Sequence, residues 1–169
     1  GLKAFDWAVQ KRVYIPFHFI PTRPFDQAAR TYSFVTERNS QFANMVFREA
    51  CRKTSDELFH LIRIGIALHT LADSWAHQGF SGREDLINDV ESIQLFRDGS
   101  WKHLFLENIY LDILPQVGHA QAGYYPDYPF FRWKYTRAAT NKEVERDNLK
   151  EYLHAAKTIH RMLVAVKKS

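Results

Sequence analysis

Residues 58–77, LFHLIRIGIALHTLADSWAH, constrain this chain more than any other stretch. They are apolar on most sides, carry no proline and are long enough for five helical turns. Such a segment is a buried helix around which other elements must pack. Thr54 or Ser55 is the expected N-cap, with Asp56 and Glu57 suiting the positive first turn. The helix is expected to run to about residue 78, where Gly79 and Gly82 stop it.

Inside this helix, His69, Asp73 and His77 follow one another at steps of four. Four residues turn a helix by about 400°, so the three side chains share an arc of about 80° while climbing about 12 Å. A cation with nitrogen and oxygen ligands near 2 Å takes two such neighbours, not three. The expected chemistry is two metals with Asp73 bridging and one histidine serving each, or one metal with His77 supporting it from outside. A buried aspartate needs a cation or hydrogen-bond donors. Pairing with Arg63 or Arg83 is the plain alternative.

The rest of the chain reads as helical. Residues 1–37 are expected to be irregular, because IPFHFIPTRP holds three prolines, with TYSFVTE a short extended piece. Asn39 or Ser40 caps a helix over QFANMVFREACRK. Residues 83–100 are polar and ambiguous. WKHLFLENIYLDIL predicts another helix, QVGHAQAG a helical turn or two, and YYPDYPFFRWKYT an aromatic loop. Asn141 is expected to start a last helix, with an apolar stripe from Leu149 to Val166. With no linker and no repeat over 1–169, the expectation is one all-α domain, a helical bundle with long irregular loops.

Further ligands must come from elsewhere. His119 follows Gly118 at a backbone bend beside a loop carrying Asp127, and His18 sits among aromatics between two prolines. The candidate metal ligands are therefore His69, Asp73, His77, His119 and His18. The candidate catalytic residues are Asp73, His77 and Asp127, with His77 or Asp127 as proton shuttle. Zinc, one or two ions, suits imidazole and carboxylate where no thiolate is offered. The lone Cys51 excludes an internal disulfide and a cysteine-rich metal site. The net charge of +4 comes from scattered basic residues, so no nucleic-acid stripe is visible. No apolar run is long enough to span a bilayer, and no signal-peptide pattern is present. The aromatic loop 124–135 reads as a lid over helix ends, or as a rim that stacks a base or a quaternary ammonium group.

LHTLADSWAH resembles the His-x-x-x-Asp helix of the all-α zinc-dependent phospholipase C and P1/S1 nuclease group. That resemblance implies an all-α fold, His69 as a zinc ligand and Asp73 as the carboxylate bridging two ions. IPFHFIP, LADSWAHQGFSG and GHAQAGYYPDYP together resemble a bacterial family of uncharacterised proteins. In that family an Asp-x-His-like segment lies ahead of IPFHF, so the expectation is that an N-terminal portion precedes Gly1. The spacing differs from the phospholipase group: His77 follows Asp73 by four residues rather than about six, and His119 has no acid four residues on. The function implied is zinc-dependent hydrolysis of a small-molecule or lipid phosphoester. The competing expectation is a non-enzymatic structural or binding domain with an incomplete metal site.

Overall fold

The computed structural model describes residues 7–22, 34–103 and 117–168. A helical run opens it: α1 (Trp7–Val9), a π-helix over Gln10–Tyr14 and α2 (Ile15–His18). Irregular backbone was expected here. Pro16 falls in the first turn of α2, directly after the wider π-turn.

Ser40 caps α3 (Gln41–Ala50), accepting from the Ala43 N–H at 3.1 Å. The cap of α4 (Glu57–Ala76) is Asp56, which accepts from Phe59 N–H, rather than Thr54 or Ser55. Ala43, Phe47 and Ala50 of α3 meet Ala67, Leu71 and Trp75 of α4 and Ala155 of α5 (Asn148–Lys168) in one core. Only the C-terminal half of α4 is buried. Near its start Leu58 is 69% exposed, so the apolar character of the helix overstates its burial.

Four strands form the rest: β1 (Val90–Arg97), β2 (Ser100–His103), β3 (Arg132–Arg137) and β4 (Lys142–Asp147). All neighbours are antiparallel, in the order β2-β1-β3-β4. This sheet overturns the expectation of an all-α bundle, and with it the all-α fold that the resemblance implies. The ambiguous stretch 83–100 contains β1, the supposed aromatic loop runs into β3, and the last helix starts at Asn148 rather than Asn141. Of the helix expected over 101–114, residues 101–103 are β2 and the others lie outside the described residues.

Two turns build the sheet. Asp98-Gly99, both at positive φ, close a two-residue hairpin between Arg97 and Ser100. Residues 138–141 close the second, ending on Asn141 at φ 51°. Alternation along β3 buries Trp133 and Tyr135 against Ile93, Leu95, Phe80 and Tyr125, a second core. The outer face of β3 and β4 is polar, tied by Arg132–Glu145 at 2.7 Å and Lys134–Glu143 at 2.9 Å. The last turn of α4 belongs to the first core and Phe80, just beyond it, to the second. The junction between the two cores is where the candidate ligands meet.

Candidate metal centre

The row His69–Asp73–His77 does not stay in line. α4 ends at Ala76, and His77 is its C-cap, with φ −97° and ψ 12°. A buried guanidinium fixes that ending: Arg146 Nη2 donates to the carbonyls of Trp75 (3.0 Å) and Ala76 (3.1 Å) while Nε pairs with Glu151 at 2.9 Å. His77 still donates its backbone N–H to Asp73 O at 2.8 Å, but its ring is taken by His18 O and by Asp127, whose Oδ1 lies 3.1 Å from Nε2.

Two triads result: His18, His69 and Asp73 in one, His77, His119 and Asp127 in the other. Each offers three donor atoms, all within 4.8 Å of one another. Ligands about 2 Å from a shared tetrahedral cation stand about 3.3 Å apart. His69 Nε2 to Asp73 Oδ2 is 3.3 Å, His77 Nε2 to Asp127 Oδ1 is 3.1 Å, and His119 Nε2 to Asp127 Oδ1 is 3.5 Å. These edges fit without rearrangement. His18 Nδ1 to Asp73 Oδ2 is a hydrogen bond of 2.6 Å, which would have to open slightly to admit an ion. That bond raises the His18 pKa above its ordinary 6.5, against the opposing effect of burial.

The second triad has its imidazoles locked from behind. Gly123 O lies 2.9 Å from His119 Nδ1, and His18 O lies 2.8 Å from His77 Nδ1. A carbonyl only accepts, so both Nδ1 atoms carry hydrogen and both Nε2 atoms face Asp127. Burial, and then the neighbouring His77, push the His119 pKa down to about 4. At neutral pH its Nε2 thus presents a lone pair to a carboxylate. Burial alone would raise the Asp127 pKa, but the His77 hydrogen bond and the surrounding imidazoles hold it below its ordinary value.

Asp127 is held by α5. Asn148 accepts from Trp133 Nε1 at 2.9 Å and donates to the carbonyls of Tyr125 (2.6 Å) and Tyr128 (2.8 Å). Tyr152 donates to Pro126 O at 3.0 Å. Burial and the Asp127 and Asp73 carboxylates push the Tyr152 phenol up to about 12, so it remains a protonated donor. Phe19 stacks on His77 with ring centroids 4.8 Å apart, and its ring fills the space that a side chain at Gly118 would need.

All five candidates from the sequence meet at this junction, divided three and two: His18, His69 and Asp73, then His77 and His119 with the expected proton shuttle Asp127. Sequence reasoning missed Phe19, Asn148, Arg146 and Tyr152. Their roles depend on contacts 15 or more residues apart, and no local motif marks them. His18, Asp73, His77, His119 and Asp127 line one cleft of about 480 Å³. No lysine or arginine lines it among the described residues. A larger apolar hollow of about 680 Å³ shares Ile15 and Phe19 with this cleft. Among the described residues, no helix is long and apolar enough to cross a membrane.

Searches of curated proteins and of solved structures each return no match. Residues 2–169 match the profile of a family of unknown function (DUF6765), and the chain belongs to that family.

Proposed function

We propose that this protein is a metal-dependent hydrolase of phosphoester bonds, with zinc as the cation. One observation carries the reading: the lone pair of a neutral His119 faces the Asp127 carboxylate, 3.5 Å away, with no proton to place between them. A divalent cation resolves that contact. It also takes the Nε2 of His77, whose other nitrogen is already committed. The donor set of imidazole nitrogens and carboxylate oxygens suits zinc. Three protein ligands per triad leave coordination positions open, as catalytic sites do.

A divalent ion in such a site supplies Lewis acidity toward a phosphoryl oxygen and lowers the pKa of water toward neutrality. The chain's own residues orient it. Gly123 O and His18 O fix the imidazole tautomers, Asn148 and Tyr152 hold the Asp127 loop, and Phe19 limits water on the His77 side. The adjoining apolar hollow favours a phosphoester that carries an apolar group, lipid or aromatic. The His-x-x-x-Asp element of α4 resembles the zinc-binding helix of the phospholipase C and P1/S1 nuclease group, which supports phosphoester chemistry although the sheet sets the fold apart.

The test is hydrolysis of bis(p-nitrophenyl) phosphate and p-nitrophenyl phosphate by zinc-loaded protein. Turnover is expected to vanish on chelation, to return with zinc, and to fall at least about 100-fold in Asp127→Asn. Zinc-loaded protein inert toward both esters, or activity indifferent to chelation, refutes the proposal and leaves a metal-binding structural domain.

A further inference from the structure

We infer that the cleft takes two divalent cations, one in each triad, each with its own carboxylate and neither bridged by Asp73. This rests on the hydrolase reading above and specifies how its metal centre is built.

The imidazoles divide two and two. Asp73 Oδ2 faces His18 and His69, while Asp127 Oδ1 faces His77 and His119. A bridging Asp73 would need the His77 imidazole, and that ring is committed to His18 O and Asp127 instead. Residue 18 joins the triads in place of a shared carboxylate. Its ring belongs to the first, and its carbonyl accepts from His77 in the second. The two rings are 5.7 Å apart, so the cations are neighbours within one cleft.

Charge requires both. With the four imidazoles deprotonated as metal ligands, the two triads carry −2 from their carboxylates, and no lysine or arginine lines the cleft among the described residues. One divalent cation brings it to 0, which leaves a Lewis acid but no net attraction for a phosphate. Two bring it to +2, which matches a phosphomonoester dianion and exceeds a diester monoanion.

The experiment is metal counting on the full chain, purified without chelator, equilibrated with Zn²⁺ and passed through gel filtration, with affinities from calorimetry. Wild-type protein should retain two ions. His69→Ala and Asp127→Asn, whose side chains are 56% and 45% exposed and lie outside both cores, should each retain one. Asp73→Asn should also retain one, with the remaining Kd weakened by no more than about 10–100-fold, the change expected when only a neighbouring support is disturbed. A single ion in the wild type, or none left in a folded Asp73→Asn, overturns this inference while leaving a metal-dependent hydrolase possible. A metal-free wild type overturns both.

Discussion

Because His119 is held neutral, the metal-free protein should lose stability in acid in a way that one substitution removes. Its imidazole has a pKa of about 4 in the fold, against an ordinary 6.5. Below pH 6.5 the unfolded chain binds a proton at this position that the folded chain refuses until pH 4. Stability from this group is therefore intact above pH 6.5 and falls as pH drops toward 4. A gap of that size corresponds to about 3.4 kcal/mol in full, of which about 2 kcal/mol is lost between pH 7.5 and pH 5. His18 works in the opposite sense. Its raised pKa stabilises the fold below 6.5 and loses that contribution as pH rises through the folded value. A comparison of wild type with His119→Gln cancels the His18 effect, because both proteins retain it. Urea unfolding at pH 7.5 and pH 5.0, in chelator, should show the wild type losing about 2 kcal/mol more than His119→Gln over that interval. Equal losses in the two proteins would mean that His119 titrates normally, and the argument for a lone pair facing Asp127 would go with it.

Asn148→Ala should cost about 2–4 kcal/mol in urea unfolding, because it strips partners from Trp133 Nε1 and two loop carbonyls, and zinc affinity at Asp127 should fall with it. Arg146→Met should cost about 3–5 kcal/mol, since Glu151 is left unpaired and the end of α4 uncapped. Adding Glu151→Leu should restore much of that in a double-mutant cycle. Gly118→Ala should lower the thermal midpoint, with a cost of about 1–3 kcal/mol, because φ is +60° there and the new methyl meets the Phe19 ring. The conservative Gly99→Asn should be nearly neutral, having open space and a turn that asparagine accepts.

The helices were legible from apolar periodicity along α3, α4 and α5, and the polar cap was legible at Ser40, while the starts of α4 and α5 were not. The sheet was not, for physical reasons. β4 reads KEVERD, with one apolar residue in six. Its pairing is set by β3 across the ladder, and its Glu and Lys neighbours form ion pairs rather than a hydrophobic face. β1 carries a register shift between Glu91 and Gln94, with Ser92 at φ 52°, which breaks the alternation that would have announced it. The Asp98-Gly99 pair was an open signal of a hairpin, but it is flanked by a strand with broken alternation and a partner of only four residues.

The site shows a different limit. Helical geometry placed His69 and Asp73 on one face, and the structure brings them to 3.3 Å. The same geometry, extended one turn further, put the His77 ring beside Asp73, because a periodic pattern carries no information about the distant partners, His18 O and Asp127, that take the ring where the helix ends. That point is set 70 residues away, by Arg146 reaching the carbonyls of Trp75 and Ala76. Removing that reach should therefore move His77 before it unfolds the protein. In the Arg146→Met, Glu151→Leu double variant, with stability largely restored, the second triad should bind zinc more weakly while the first, built on the uninterrupted helix, keeps its affinity. Unchanged affinity in the second triad would show that α4 ends where it does for reasons of its own sequence, and that the division of the ligands into two triads does not depend on the sheet.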